Sequence, residues 1–265
     1  MRTNGASLKE QVAGLLHDTS HTAFSHVIDW VFGDPSKADF QDKLHEDKIK
    51  NSEIKNILEK HSFNPEEISN YSNFSLLEKK APGLCADRID YTLRETATRI
   101  NFEKARFCYR KLINFNNTFA FKSEKAAKLY AELYAQCQRE NWSGNESKAR
   151  YHILADILKI ALNKKIIYFQ DFKRDDNFVT NLLKNSKDED ILNGLNLLRD
   201  GFLIKETDSD KNIELRSKFR YIDPEILLAD KIVRLSDISE EYKIFIDKEK
   251  KDFKPIVKVN ILNKN

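Results

Sequence analysis

Only 7 glycines and 5 prolines punctuate 265 residues, and that scarcity constrains the fold more than any other single feature. Glycine and proline are the residues that most reliably interrupt a helix. Without them, long stretches can stay helical, and the apolar residues recur at helical spacing. Stripes of this kind are Val12, Leu15 and Leu16; Phe24, Val27, Ile28, Val31 and Phe32; and Ile49, Ile54, Ile57 and Leu58. Ala126, Leu129, Tyr130, Leu133 and Tyr134 form another, as do Tyr151, Ile153, Leu154, Ile157, Leu158 and Ala161. The fold class these patterns predict is mainly α.

The starts and stops refine this. Ser7, three residues ahead of Glu10, predicts a capping box opening a helix over 7–16. Gly33-Asp34-Pro35-Ser36 ends the second helix, and 39–47 reads as a polar loop or short helix carrying His45. A helix follows over 48–60, and Asn64-Pro65-Glu66-Glu67 opens a short one. Pro82-Gly83 precedes a helix over 84–95. There Asp87, Asp90, Tyr91 and Arg94 fall at i, i+3, i+4 and i+7 on one polar stripe, with Ile89, Leu93 and Ala97 on another side. An Asp-Arg ion pair on a solvated face is the ordinary account of such a stripe.

Beyond Asn101 the pattern changes. Asn116-Asn117 predicts a hairpin within 112–121, and helices are expected over 123–139, 145–162, 169–183 and 188–198. Short strands are expected at Phe202-Leu203-Ile204, at Phe219-Arg220-Tyr221-Ile222 and across 256–261. The expected organisation is a helical core over 1–110, then a helical extension over 111–265 with a small α+β C-terminal part.

Charge and cysteine use narrow the setting. The 45 basic and 42 acidic residues nearly balance, at +3, so nucleic acid is not indicated as a partner. Hydrophobic residues at 40% and charged residues at 33% suit a folded soluble chain. No run approaches the roughly 18 apolar residues of a membrane span, and the N-terminus has no apolar signal core. Cys85, Cys108 and Cys137 are odd in number and lack paired or metal-type spacing, which a reducing compartment accounts for. The expected location is cytoplasmic.

Chemistry concentrates in Leu15-Leu16-His17-Asp18-Thr19-Ser20-His21-Thr22-Ala23-Phe24-Ser25-His26-Val27-Ile28-Asp29, which holds three of the six histidines. On a helix, adjacent side chains diverge by about 100°, so the His17 imidazole and the Asp18 carboxylate can converge on one metal ion. Asp29 lies three residues past His26, where a carboxylate can fix an imidazole's tautomer. One histidine alone would be read as a packed core side chain. A His-Asp pair with two more histidines within ten residues points to a site.

Leu-Leu-His-Asp-x-x-His-x-x-Phe-Ser-His, followed by Ala-Asp-Arg-Ile-Asp-Tyr-x-x-Arg-Glu, resembles the HD-domain metal-dependent phosphohydrolases. It is similar to the branch that contains the deoxynucleoside triphosphate triphosphohydrolases. The two motifs cover about residues 8–100, and Tyr221-Ile222-Asp223-Pro224 is similar, less specifically, to the branch's C-terminal part. The resemblance implies metal ligands at His17, Asp18 and Asp87. It implies catalytic, phosphate-facing roles for His21 and His26, with Asp29 hydrogen-bonded to one of them and His45 in the same network. Arg88, Tyr91 and Glu95 match positions that contact a nucleotide's phosphates and sugar. Relatives often carry Lys where Arg88 stands, and the two cations hold phosphate with different geometry.

HD enzymes also take a first ligand from a histidine some tens of residues before the His-Asp pair. Sixteen residues precede His17 and none is histidine, so the expected core is N-terminally incomplete. His61 and His152 are expected to be ordinary surface or packing residues.

The function this implies is metal-dependent hydrolysis of a nucleotide, a (deoxy)nucleoside triphosphate or related phosphate ester. One divalent transition metal (Fe, Mn, Ni or Zn) or Mg would serve as cofactor, and homo-oligomers are expected by analogy with the branch. The missing ligand motivates one alternative, a catalytically impaired HD scaffold that binds a nucleotide or a partner protein. A cyclic-nucleotide or RNA phosphodiesterase is another, since the same metal chemistry serves phosphodiesters.

Overall fold

Local capping decides where the helices begin. In the computed structural model, which describes residues 1–35, 40–199, 203–209 and 212–262, the Ser7 hydroxyl accepts from the Glu10 amide and starts α1 (Leu8–Leu16). α2 (Val27–Phe32) follows and ends at Gly33, the first residue of the expected stop, whose Ser36 lies outside the described residues, and α3 (Asp42–Lys50) carries His45. The expected 48–60 helix is interrupted after Lys50. Ser52 caps a new helix, α4 (Glu53–Lys60), by accepting from the Ile54 amide. Asn64 caps α5 (Pro65–Ser69). α6 (Ala86–Glu95) and α7 (Phe102–Lys111) then lead into β1 (Leu112–Phe115) and β2 (Thr118–Phe121). Asn116 and Asn117 both take positive φ, 49° and 57°, as a tight two-residue hairpin requires.

The middle of the chain is helical as expected: α8 (Glu124–Cys137), α9 (Asn145–Asn163), α10 (Asp176–Asn185) and α11 (Glu189–Leu197). The 169–183 segment is split, a short 3-10 turn at Phe169–Lys173 preceding α10, because Asp175 caps α10 at the Phe178 amide. β3 (Leu203–Glu206), β4 (Ile213–Arg216), β5 (Glu225–Leu228), β6 (Lys231–Arg234), α12 (Leu235–Ile238), α13 (Glu240–Asp252) and β7 (Ile256–Leu262) complete the chain. Gly201 and Phe202, expected to lead the first late strand, lie outside the described residues. The protein is mainly α with a small β part.

The strand expected at Phe219-Arg220-Tyr221-Ile222 does not form. Phe219 and Tyr221 stack on each other with ring centres 5.7 Å apart, and Ile222 enters the core. Sheet pairing passes instead to the β5–β6 hairpin just beyond, which turns at Ala229-Asp230, both at positive φ.

The chain divides into two units, crossing between them after His17, Asp47, Trp142, Lys218 and Phe253. The division expected at 110/111 falls inside the first unit, within the last turn of α7. In the first unit the sheet order is β1-β2-β5-β6, with β2 and β5 parallel and the other pairs antiparallel. Its core gathers Leu84, Phe121, Tyr130, Ile226 and Tyr242, with a second cluster of Ala13, Ile49, Leu58, Ile68, Phe74 and Leu77. Full burial of one such side chain stabilises the fold by about 1.5–3 kcal/mol. The second unit has a three-stranded antiparallel sheet, β3-β7-β4, in which Leu203 pairs with Leu262 and Ile213 with Val259. Its core holds Ile28, Leu158, Ile167, Phe172, Leu183 and Leu215. No described helix is long and apolar enough to cross a membrane.

Candidate functional site

In the first unit, α1 and α6 bring two of the sequence's candidates together. His17 closes the C-terminal end of α1, and its Nε2 lies 3.2 Å from Asp87 Oδ1, seventy residues on. Glu10 sets this register. Its carboxylate does not complete the expected capping box; it is buried and accepts from the Leu76 and Leu77 amides at 2.7 and 3.2 Å. The Leu76 carbonyl in turn accepts from Ala86 at 2.7 Å, in the first turn of α6 beside Asp87. One buried acid on α1 thus ties down the segment from which α6 starts.

The His17 ring is also held on its other nitrogen. A carbonyl can only accept, so Nδ1–H donates to Gly14 O at 2.9 Å. The neutral ring then carries its lone pair on Nε2, which faces the Asp87 carboxylate. Two lone-pair donors 3.2 Å apart need a cation between them, a proton or a metal ion, and an imidazole nitrogen with a carboxylate oxygen suits a divalent metal. The pair fits that role. The Tyr71 hydroxyl donates to the His17 carbonyl at 2.5 Å and fixes the helix end from behind. Among the described residues no group of three or more His, Cys, Asp or Glu is gathered as a metal would gather them.

The nucleotide-contact candidates on α6 each have a protein partner. Arg88 pairs with Glu78 at 2.9 Å and donates to the Lys79 carbonyl. Tyr91 packs edge-on against Trp142, with centres 4.8 Å apart, and hydrogen-bonds Tyr134. Burial, with Tyr134 beside it, pushes the Tyr91 phenol well above its ordinary range, so it is a neutral hydrogen-bonding group. Glu95 pairs with Arg99 at 3.1 Å, and Asp90 with Arg94, the ion pair expected on that stripe. Cys85, against Arg88, has its thiol pushed up to about 12 by burial and the Glu78 carboxylate.

Tyr221-Ile222-Asp223-Pro224 is anchored rather than exposed. Asp223 is buried and accepts from the Ser236 amide at 3.0 Å and hydroxyl at 2.6 Å, and the Tyr242 hydroxyl donates to the Ile222 carbonyl.

In the second unit, the segment after Asp18 folds as a tight loop. Phe24 and Ser25 take left-handed φ of 60° and 45°, strained for residues with side chains. The loop is pinned by the Ala23 amide on the Phe172 carbonyl and the Phe24 amide on Asp176 Oδ1, both at 2.8 Å. The bend sets the His21 and His26 rings edge-on, 5.4 Å apart. His21 Nε2 lies 3.2 Å from Asp18 Oδ1, and its Nδ1 is 3.3 Å from Ser25 Oγ.

Asp29 sits on the same face as His26, yet its Oδ2 is 3.8 Å from His26 Nδ1, beyond a hydrogen bond. Its Oδ1 accepts instead from the Phe40 amide at 3.0 Å. The hydrogen bond to His26 Nδ1 comes from Gln41 Nε2 at 3.2 Å, a residue that sequence reasoning passed over. No spacing rule marks it, because it reaches His26 from the start of a later segment. His45 is buried on α3. His152, on α9, faces Asp156 at 3.1 Å and lies edge-on to Trp30, beside a cavity of about 540 Å³ within this unit. His61 ends α4 at the surface.

No family model matches the chain. Its sequence is 38% identical to the uncharacterized protein YdhJ of Bacillus subtilis over 242 residues, covering 90% of this chain and 74% of YdhJ. The chain belongs to the same family as YdhJ. It is also 39% identical over 98 residues to the metal-dependent phosphohydrolase cns2 of Cordyceps militaris, covering 37% of this chain and 28% of that protein. The crystal structure of a phosphohydrolase from Bacteroides thetaiotaomicron has a similar fold, with a TM-score of 0.65 at 15% identity over 100% of this chain and 82% of that one.

Proposed function

We propose that the protein is a metal-dependent phosphohydrolase of the HD type acting on a nucleotide, with a (deoxy)nucleoside triphosphate or related phosphate ester as substrate. The observation that carries this reading is the meeting of His17 Nε2 and Asp87 Oδ1 at 3.2 Å, with the imidazole's other proton committed to Gly14. The similarity to cns2 and the fold shared with the Bacteroides phosphohydrolase support it. His17 and Asp87 would hold one divalent ion. Such an ion, when bound, polarises a phosphoryl oxygen and lowers the pKa of water.

The chain's own groups supply the rest. His26 donates a hydrogen bond to the bridging oxygen as its bond to phosphorus breaks, while water supplies the oxygen of the new P–O bond and the proton that the departing oxygen takes up. His21, tied to Asp18 and Ser25, lies edge-on beside His26 and donates to the phosphoryl group. Arg88, Tyr91 and Glu95 would contact the nucleotide's phosphates and sugar, with the Arg88 guanidinium placed on α6 by its pair with Glu78.

The test is metal analysis of the purified protein with a phosphate-release screen of dNTPs, NTPs, cyclic nucleotides and RNA. Metal bound stoichiometrically and lost in Asp87→Ala, together with hydrolysis of a nucleotide, is the expected result. A protein that binds nucleotide but neither metal nor turns over any substrate would replace this reading with a binding scaffold.

A further inference from the structure

Gln41 is 3% exposed, its Nε2 lies within hydrogen-bond distance of His26, and its Oε1 is buried with no hydrogen-bond partner among the described residues. Burying a primary amide is costly unless it is hydrogen-bonded, so the contact with His26 is what offsets the burial of this side chain. Nε2 carries only protons to give, and it lies 3.2 Å from His26 Nδ1. A ring nitrogen that accepts is unprotonated. The neutral His26 ring therefore carries its proton on Nε2.

Asp29 sets this arrangement one step further back. The carboxylate is 1% exposed, and its Oδ1 accepts from the amide of Phe40, the residue before Gln41. Its backbone carbonyl accepts from Gly33 at 3.0 Å, and a Cβ added at Gly33 would press on the Asp29 backbone at 3.3 Å. Asp29 thus fixes the chain that presents Gln41. The His26 side chain is itself 51% exposed, so its outer edge is open to a substrate while its inner edge is held.

We infer that Gln41 is a positioning residue that holds neutral His26 as the Nε2–H tautomer, so that His26 presents a fixed hydrogen-bond donor to the leaving oxygen. The inference rests on the phosphohydrolase reading for the role of that donor, and on the geometry alone for its location. In the reaction Nε2–H hydrogen-bonds the bridging oxygen as its bond to phosphorus breaks, and the ring keeps its proton. The attacking water leaves its oxygen on phosphorus, and a proton it releases ends on the departing oxygen.

Imidazole nitrogen NMR of the full-length protein tests the location without any substrate, with His26 assigned by its loss in His26→Asn. The expected spectrum has a protonated Nε2 and an unprotonated Nδ1 when the ring is neutral. In Gln41→Glu, whose carboxylate can only accept from Nδ1–H, the proton should move to Nδ1. A wild-type ring protonated at Nδ1 overturns the inference even if every variant fails to fold.

Kinetics supply a separate arm. Gln41→Met, close in size and unable to donate, should lower kcat about tenfold, as loss of a supporting hydrogen bond does, with KM little changed. The defect should shrink on a substrate with an acidic phenol leaving group, whose departing oxygen needs less stabilisation. An unchanged kcat in a folded Gln41→Met protein overturns the positioning role. If no variant, wild type included, hydrolyses any nucleotide, the phosphohydrolase reading fails while the spectrum still decides the tautomer.

Discussion

His17 and His26 are two imidazoles nine residues apart in sequence that the structure prepares for opposite work. Each is gripped at Nδ1, but by groups of opposite polarity. Gly14 O accepts from His17, which puts a lone pair on Nε2 and aims it at Asp87. Gln41 Nε2 donates to His26, which puts a proton on Nε2. Whether the inner partner gives or takes a hydrogen bond thus determines whether the outer nitrogen of a neutral histidine is a hydrogen-bond donor or a ligand. The grips also differ in kind. His17 is held by main chain within its own helix, so the sequence motif contains the whole device. His26 depends on a side chain fifteen residues away.

The largest effect expected from this contrast is on metal. Asp87→Ala or His17→Ala should abolish bound metal and lower hydrolysis on the order of 10³-fold, as loss of several kcal/mol of charge stabilisation implies. His26→Ala should leave metal content unchanged. Elemental analysis of the three purified variants is the measurement. Metal lost equally from all three would erase the distinction between ligand and hydrogen-bond donor.

Next is the donor itself. His26→Ala should lower kcat by about 10²-fold on a poor leaving group, the lower end of what one preorganised donor to developing charge contributes. An acidic leaving group should restore most of it, because the departing oxygen then needs less stabilisation. His17→Ala should show no such recovery. Steady-state rates across a leaving-group series would read this directly, and a parallel loss for both variants would make His26 a ligand after all.

Glu10 probes how the first grip is built. Removing its carboxylate leaves the Leu76 amide buried without an acceptor, while the Leu77 amide keeps the Phe74 carbonyl at 3.1 Å. An unsatisfied buried group costs about 1–3 kcal/mol, so Glu10→Ala should destabilise the fold by roughly 2 kcal/mol. That corresponds to a fall in Tm of roughly 4–8 °C for a chain of this size. The His26 ring should keep its tautomer in that variant. A thermal melt beside the imidazole spectrum checks both statements.

What could be read from the sequence follows the range of the forces involved. Ser7, Asn64 and the Asn116-Asn117 pair act on backbone within three residues, and the helix and hairpin starts they mark are where they were expected. The interruption at Asn51-Ser52 and the split before Asp175 were less legible, because apolar spacing runs on across both. Phe219-Arg220-Tyr221-Ile222 has the residues of a strand but meets no partner edge, and pairing is a property of two segments rather than one. The same logic separates the site residues. The motif placed His17 and Asp87, which the structure brings to 3.2 Å. Glu10 looked like half of a local cap, and Gln41 looked like nothing, since their partners lie 66 and 15 residues away. A buried polar side chain is recognisable only once its burial is known.

Alkaline pH offers the smallest and most selective perturbation, because the groups that resist ionisation are unevenly divided. Burial pushes the Cys85 and Cys108 thiols from 9.0 up to about 12, and raises Tyr91, Tyr130 and Tyr242 as well. All five belong to the first unit, the one with the His17–Asp87 pair. In the second unit the comparable group is Tyr151, also raised by burial. A thiol with a raised folded-state pKa holds its proton more tightly folded than unfolded. Stability is therefore complete below about pH 9 and falls as pH rises from 9 toward 12, where the unfolded chain ionises and the folded one does not. Hydrogen exchange at about pH 10 should show α6 and α8 of the first unit opening before α9 of the second, with the contrast reduced in Cys108→Ala. Loss of protection in both units together would mean that the thiols and phenols do not set the order, and that the two grips on histidine share one cooperative fate.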